Sequence, residues 1–501
     1  MKTLPSCSAR IIPGALCLLL AISACNAKAG ILEFNPGGPL PLPGGDYSWD
    51  NPVWGGGTPG YWIPGSTAGF SVDPAGHAYS LTAHNNELMA GLYETVSDVS
   101  LTLNGTGAGT LDVTSGDQAF SVYGSVLINA PISGSGGVVP EGNGSLYLYG
   151  TNTYSGGTTL GYSGYPLVWF NNSNSFGTGA IKLKGATGDF QGLLATGGNT
   201  ITLPNNFQVE TLGTGVDFGS AANTPVISTG WWNLGTNNLM LKNNGDATAP
   251  LTISGVISGT AGLSLSANYN GTIILSGANT YTGTTTIGKG ASAVTLKLGA
   301  ANTIAGSSGV VMAGGTLDPG GLSHAMFSTT LGLTAASVID FGAGPSELDF
   351  ASSSSLTWAG TLNLTNWDST KDKLRFGTDA TGLTVGQLAE IEFNGSGLGT
   401  AKLDSNGYLV VFEPSTGLLS QPAMLSSNVF QFQLSGLAAQ NYTVQVSTNL
   451  ASTNWLTLLI TNLSASPVLI QDSQATPFPR LALGKGGSLG ANSHEGASEP
   501  G

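Results

Sequence analysis

Short alternating segments separated by turn residues recur along most of this chain, and they restrict its fold more than any other feature. Each segment places aliphatic side chains at every second position and Thr, Tyr, Ser or Lys between them, as in Leu146-Tyr147-Leu148. Because successive side chains of a β-strand point to opposite faces, this alternation predicts half-buried strands. Gly and Asn interrupt the chain between the segments and leave no room for a helix of stable length. The sequence therefore predicts an all-β protein.

A larger unit also occurs twice. The stretch 150–161 (GTNTYSGGTTLG) reappears at 277–288 (GANTYTGTTTIG), so that Asn152 and Asn279 stand 127 positions apart. An internal repeat built from short strands favours a solenoid, in which each turn of the chain stacks on the one before. We expect inward aliphatic side chains to form columns, and Asn and Thr at the corners to form hydrogen-bonded ladders.

The repeated stretch resembles a known family. Residues 275–291 (LSGANTYTGTTTIGKGA) are similar to the autotransporter-associated β-strand repeat of bacterial passenger-type proteins. Residues 339–393 resemble the segment that follows these repeats in secreted Verrucomicrobia- and Planctomycetes-like proteins, and the Trp-rich part near Trp49 and Trp62 resembles their N-terminal portion. The resemblance implies a right-handed parallel β-helix on the cell surface or outside the cell, without enzyme activity.

The N-terminal residues have the features of a secretory signal. Lys2 and Arg10 give the N-terminus a positive charge and precede an apolar run at 11–24. This run is shorter than the ~20 residues needed to span a bilayer. An A-x-A pattern at 27–29 predicts cleavage before Gly30, whereas residues 22–25 resemble a bacterial lipobox in which Cys25 would carry a lipid. We favour cleavage, with lipid anchoring as the alternative, and expect a secreted or cell-surface protein.

The cysteine positions and the net charge restrict how the chain is stabilised and which partners it can bind. All three cysteines lie before residue 30, so the cleaved chain has no disulfides and must gain its rigidity from a large core. The chain has 14 Lys and Arg against 28 Asp and Glu. Nucleic acid is therefore not expected as a partner, because its binding needs clustered cations. We expect a monomer that does not span a membrane and that meets extracellular polysaccharide or cell-surface components.

Changes in pattern divide the chain into six parts. These are a signal peptide (1–29), a Trp-rich N-terminal cap (30–95), the β-solenoid (96–413), a linker (414–427), a small C-terminal antiparallel β-sandwich (428–480) and a disordered tail (481–501). The C-terminal part either covers the last turn or serves in sorting. Near the end of the solenoid, residues 384–387 fit a capping box before one short helix, and Asn406-Gly407 predicts a hairpin turn.

The polar residues indicate no catalytic, cofactor or metal site. The four histidines are scattered without the spacing of a zinc site, and phosphate-loop and calcium-repeat motifs are missing. The densest polar cluster comprises Asp368, Lys371, Asp372, Lys373 and Arg375. It fits a cation or sugar site, but a solvated loop with compensating charges is the simpler interpretation.

Aromatic side chains are the better binding candidates. Tyr165 and Trp169 lie in a loop-like stretch after the first repeat, and Trp231 and Trp232 are adjacent, so that at least one ring is expected to face solvent and stack on a sugar. Burial of these rings at an irregular turn is the competing interpretation. We expect an exported structural or interaction protein for adhesion or matrix contact. A carbohydrate-binding protein is the alternative, and a polysaccharide-degrading β-helix enzyme is favoured least.

Overall fold

A computed structural model of the 501-residue chain shows parallel strands that stack into a β-solenoid of about 12 turns, as the sequence predicts. The residues that the structure describes are 31–33, 45–49, 64–70, 78–94, 100–113, 116–161, 163–164, 166–185, 190–211, 214–220, 223–288, 292–304, 306–395, 401–411, 418–426, 429–435, 441–447, 456–462, 468–472 and 480–484. The predicted signal peptide, with Cys25 and Gly30, lies outside these ranges.

Three long parallel sheets form the solenoid. The first sheet consists of Ile31–Glu33, Ser66–Phe70, Asn86–Glu94, Thr110–Val113, Asp117–Val122, Ile132–Gly134, Gly137–Glu141, Thr158–Leu160, Ile181–Leu183, Phe207–Val209, Trp232–Asn233 and Ile257–Ser258. The second consists of Gly45–Ser48, Ala78–Ala83, Ser100–Gly105, Ser125–Ile128, Ser145–Leu148, Leu167–Phe170, Phe190–Ala195, Thr214–Ser220, Leu239–Asn243, Leu263–Ala267, Thr285–Gly288, Gly309–Ala313 and Thr330–Ala335. The third consists of Ile201–Leu203, Val226–Ser228, Leu251–Ile253, Thr272–Leu275, Thr295–Leu298, Thr316–Asp318, Ser337–Asp340, Leu362–Thr365 and Ile391–Phe393.

A shorter parallel sheet, which we call the end sheet, lies near the end of the solenoid. It consists of Ser323–Met326, Glu347–Phe350 and Lys373–Phe376. An antiparallel hairpin of Ala401–Leu403 and Leu409–Val411 follows, as Asn406-Gly407 predicts, with Gly407 at a φ of 84°. The predicted capping box is also present: Thr384 and Gln387 bond each other at the start of the helix Val385–Ala389.

The turns of the solenoid differ in length. Ser125 pairs with Ser145, 20 positions later, and Ser145 pairs with Leu167, 22 positions later. Val226 pairs with Leu251, 25 positions later. Loops of varying length are tolerated because only the strands must keep their register from turn to turn.

Aliphatic side chains fill the interior in columns, which confirms the prediction. On the third sheet one column runs through nine turns, and none of its side chains is more than 4% exposed: Ile201, Val226, Leu251, Ile273, Leu296, Leu317, Ile339, Leu364 and Phe393. Burial of each such side chain contributes about 1.5–3 kcal/mol, so the stacked core supplies the rigidity that disulfides would otherwise provide.

The two copies of the repeat form the same hydrogen bonds between turns. Asn152 accepts a hydrogen bond from the backbone N–H of Ile132 at 2.7 Å and donates one to the carbonyl oxygen of Ser175 at 2.6 Å. Asn279 makes the equivalent bonds one copy later, at 2.8 and 3.0 Å. Each of these asparagines therefore links the turns before and after its own.

A buried tyrosine accompanies each of these asparagines. The hydroxyl of Tyr154 bonds that of Thr158 at 2.6 Å, and the hydroxyl of Tyr281 bonds that of Thr285 at 2.7 Å. Burial raises the pKa of both phenols, that of Tyr281 to about 12. The repeated sequence thus folds into the same three-dimensional unit in both copies.

Asparagine ladders also connect neighbouring turns at the surface, as predicted. The side-chain amide of Asn129 donates to Asn104 at 3.0 Å, and Asn104 donates in turn to the hydroxyl of Ser80 at 3.1 Å. Asn268 donates to Asn244 at 2.7 Å in the same way. Amide side chains suit such ladders because each one both donates and accepts.

The last strand of the second sheet, Thr330–Ala335, is covered by a loop instead of another strand. The N–H of Leu331 donates to the hydroxyl of Ser353 at 2.9 Å, and its carbonyl oxygen accepts from the indole of Trp358 at 3.1 Å. The N–H of Ala359 donates to the carbonyl oxygen of Leu333 at 2.8 Å. This sheet edge therefore already has bonding partners.

Two small antiparallel sheets form the C-terminal part. One contains Leu418–Ser426, Val429–Ser435 and Val468–Asp472, and the other contains Asn441–Ser447, Leu456–Asn462 and Arg480–Gly484. Phe432, Leu434, Tyr442, Val444 and Ile470 form a core of their own. The strand Leu418–Ser426 occupies residues where the sequence predicted a linker, and Arg480–Gly484 extends into the predicted tail. In the described parts of the chain, no helix has the length and apolar character that a membrane span requires.

Candidate functional site

Trp169 lies on the outer surface of the second sheet. Its strand, Leu167–Phe170, buries Val168 and Phe170 completely, so alternation turns the indole outward, where it is half-buried. The strand of the preceding turn places Tyr147 in register beside it. The two rings are stacked, with centroids 5.6 Å apart and planes 13° from parallel.

Tyr149 extends this pair to a group of three rings, which we call the aromatic patch (Tyr147, Tyr149 and Trp169). Its ring meets that of Tyr147 edge-on at 5.7 Å, and its hydroxyl bonds the hydroxyl of Thr196 at 2.9 Å. The indole nitrogen of Trp169 is buried and has no hydrogen-bond acceptor among the described residues. The aromatic patch therefore offers partly exposed aromatic area, one of the features by which proteins hold a sugar ring.

The adjacent residues Trp231 and Trp232 have opposite surroundings. Trp231 is 40% exposed, as expected for a ring that faces solvent. Trp232 is fully buried: its ring stacks on Phe207 with centroids 3.8 Å apart, and its indole nitrogen donates to the hydroxyl of Ser228 at 2.9 Å. The assignment of Trp232 to sugar stacking is therefore wrong, because the first sheet directs this side chain into the core.

The structure does not bring the sequence-predicted aromatic residues into one site. Trp169 lies on the second sheet, whereas Trp231 directly precedes a strand of the first sheet. Tyr165 lies outside the described residues. Tyr147 was not among the predicted site residues, although it occupies the outward position of the preceding turn, 22 positions before Trp169. That spacing becomes a usable signal only when the length of the turn is known.

The polar cluster around Asp368 divides into two parts. Asp368 accepts hydrogen bonds from the N–H and the hydroxyl of Thr370, at 3.0 and 2.7 Å, and these bonds lower the pKa of Asp368. Asp372 accepts from the N–H of Ser346 and from the N–H of Asp368, at 3.1 and 2.9 Å. These two carboxylates hold their loop together, but Asp372 is buried and bonds backbone N–H groups, so this part is not the solvated loop with compensating charges that the sequence suggested.

Lys373 and Arg375 belong to the other part. They occupy alternate positions of the strand Lys373–Phe376, whose Leu374 and Phe376 are buried, so both cations project from the outer face of the end sheet. There they lie in register with Glu347 and Asp349. The outer face of the end sheet thus has two carboxylates and two cations on adjacent strands.

Within the described ranges, no three His, Cys, Asp or Glu side chains converge as the ligands of a metal ion. Comparisons of the chain with protein-family models, with curated proteins and with solved structures gave no match. The resemblance to the autotransporter-associated repeat therefore stays a prediction from the sequence.

Proposed function

We propose that this protein is an exported interaction protein, whose solenoid presents its outer faces for adhesion or matrix contact at the cell surface or outside the cell. The observation that carries the proposal is the stacked Tyr147–Trp169 pair, which projects from a sheet that a continuous core keeps rigid. Rigid aromatic side chains lose little conformational entropy on binding, so they are efficient contact residues.

Export is supported by the N-terminal residues. A positive start, an apolar run and an A-x-A pattern precede the first strand, and the cysteines are confined to this segment. Adhesion or matrix contact requires only an exposed surface, so the proposed function involves no catalytic residue.

Carbohydrate binding through the aromatic patch is the second candidate function. It is favoured by the stacked rings of Tyr147 and Trp169, which lie partly exposed on the outer face of the second sheet. A sugar ring offers apolar C–H groups to the face of an aromatic ring and hydroxyl groups to a nearby donor.

Export is tested by expressing the full chain in a Gram-negative bacterium and measuring the intact mass of the product from each cell fraction. A mature protein that begins at Gly30 and is found outside the cytoplasm supports the proposal, as does a product lipidated at Cys25 in the envelope fraction. An uncleaved chain that stays in the cytoplasm contradicts it.

Contact through the aromatic patch is tested by retention of the purified protein on insoluble cellulose, chitin and pectin. We expect Trp169→Ala to weaken retention on one of these polymers at least fivefold, since a stacked ring contributes about 1 kcal/mol. Tyr123→Ala, which removes another exposed ring, is the matched control and should retain binding. Equal retention of the two variants would exclude the aromatic patch as the contact.

A further inference from the structure

The two C-terminal sheets differ in how their edge strands are protected against pairing with another chain. Each sheet has three strands and therefore two edge strands. A strand at the edge of a sheet has backbone N–H and C=O groups that can pair with a further strand, and proteins usually protect it with a proline, a charged residue or a bulge. The four edge strands can be compared by this criterion.

Three of the four edge strands contain a proline or a charged residue. Leu418–Ser426 includes Pro422, and its pairing register shifts at this position. Val468–Asp472 ends with Asp472, and Arg480–Gly484 begins with Arg480. These residues disfavour the approach of a further strand, because proline has no N–H to donate and a charge resists removal from water.

The fourth edge strand is Leu456–Asn462, which we call the apolar edge. Its sequence, LTLLITN, contains no charged residue, proline or glycine. Asn441–Ser447 pairs with one side of it, and no other described strand pairs with its second side. The register shifts once, at Leu458, whereas Leu459–Asn462 pairs regularly. The apolar edge therefore offers a regular stretch of backbone to which a further strand can be added.

Large aliphatic side chains of the apolar edge face solvent. Leu456 is 73% exposed and Ile460 is 67% exposed, and among the large hydrophobic side chains of the described residues only Val385 is more exposed than these two. A single exposed aliphatic residue is common on protein surfaces. Two of them on an edge strand without charge mark a site of strand pairing.

The charge distribution favours a second copy of the chain as the partner. Residues 414–471 contain no Asp, Glu, Lys, Arg or His, although the whole chain has a formal net charge of −14. Two acidic molecules repel each other, so two copies approach most easily through a part that is free of charge. A strongly charged partner gains no electrostatic attraction there. Pairing of the apolar edge with its own copy brings no like charges together.

In place of the monomer expected from the sequence, we propose that the protein forms a two-fold dimer in which the apolar edges of two copies pair as antiparallel strands. The pairing joins two three-stranded sheets into one continuous sheet and uses each apolar edge once. Because the other edge strands are protected, the assembly stops at two copies. A dimer carries two solenoids, so a weak contact of each with a repetitive surface gains avidity. The dimer does not depend on the aromatic patch or on export.

Sedimentation velocity of the full chain, over about a hundredfold range of concentration, tests the dimer. We expect the wild type to reach twice the mass of one chain. Ile460→Lys should weaken the dimer about tenfold or more, because the two-fold axis brings two lysines together in place of two apolar side chains. Ile460→Glu should have the same effect. An equimolar mixture of the two variants should dimerise again, since opposite charges then meet across the axis.

Leu469→Lys is the matched control. Leu469 is 54% exposed on the strand Val468–Asp472, which is protected by Asp472, so this variant should dimerise like the wild type. All variants should keep the circular dichroism spectrum of the wild type, because both positions are exposed.

Four results would overturn the proposal. The first is a wild type that stays monomeric at every concentration, in which case the apolar edge is left to another protein or to another segment of the same chain. The second is an Ile460→Lys variant that dimerises as tightly as the wild type, and the third is a Leu469→Lys variant that is weakened to the same extent as Ile460→Lys. The fourth is a mixture of the lysine and glutamate variants that stays monomeric.

Discussion

At the scale of single residues, two buried titratable side chains give the solenoid opposite responses to pH. Asp349 is a carboxylate that burial penalises when it is charged. His324 is fully buried and is held in its neutral form, because its Nδ1 atom accepts from the N–H of Asn302 at 3.1 Å. The proton must then be on Nε2, which donates to the carbonyl oxygen of Pro319 at 2.9 Å.

Replacing Asp349 should stabilise the protein at neutral pH. Its pKa in the folded state lies above the ordinary value of 3.8, so the folded state is progressively penalised as the pH rises through 3.8 toward the raised pKa. The groups that face it are Glu347, Lys373, Arg375 and Tyr408. We expect Asp349→Asn to raise the melting temperature at pH 7, and this gain to vanish at pH 3.5.

Asp368→Asn is the matched control for this comparison. The pKa of Asp368 is lowered by the hydrogen bonds from Thr370, so the charged form stabilises the fold and the same substitution should lower the melting temperature at pH 7. A gain of stability in both variants would show that the effect is not due to the burial of Asp349.

Protonation of His324 should destabilise the solenoid in acid. Burial lowers the pKa of His324 below 6.5, so the unfolded chain binds this proton first, and stability falls as the pH drops through 6.5 toward the lowered pKa. In the His324→Gln variant, the part of the stability loss that is due to protonation of His324 should be absent. Melting temperatures measured between pH 7.5 and 5 test this. An unchanged slope would contradict the assignment of the neutral tautomer.

At the scale of elements, the corner of each repeat depends on a glycine that touches the turn before it. A Cβ added at Gly283 would overlap backbone atoms of Ala261 and Gly262, whereas one added at Gly332 in a strand would meet its nearest atom only at 3.7 Å. Close contact of backbones permits the inter-turn bonds of Asn279 nearby. The repeat thus requires glycine at position 283 because a side chain would collide with the backbone of the preceding turn.

We expect Gly283→Ala to lower the free energy of unfolding by about 1–3 kcal/mol, because the overlap forces two turns apart. Gly332→Ala should change it by less than about 1 kcal/mol in either direction. Urea denaturation followed by circular dichroism measures both values. Similar losses in the two variants would mean that strand flexibility, and not the inter-turn contact, sets the effect.

The elements also show what could be predicted from the sequence. Alternation is a local property, so the strands and inward columns followed from it, and the capping box at Thr384 and the turn at Asn406-Gly407 are local as well. Ladders between turns were expected, but which outward side chains meet was not predictable, because the turns vary in length and one added residue changes the partners. The pairing of Tyr147 with Trp169 and that of Asp349 with Arg375 depend on this register.

At the scale of the whole molecule, each turn contacts mainly its neighbours, so distant parts should contribute independently to stability. Tyr154→Phe and Tyr281→Phe each remove one buried hydroxyl bond, which is worth about 1 kcal/mol. We expect the double variant to lose the sum of both effects within about 0.5 kcal/mol in equilibrium denaturation. A coupling above about 1 kcal/mol would show that the two repeat units do not act separately.

The covering of the strand Thr330–Ala335 has a consequence for assembly. Ser353, Trp358 and Ala359 occupy groups of this strand with which a second copy would otherwise pair. Open strand edges template fibre growth, and proteins that stack β-strands must block it. At this edge the second sheet therefore has no free backbone groups at Leu331 and no free carbonyl oxygen at Leu333 for a strand of another copy, and its number of strands is set by the sequence of the chain and not by protein concentration.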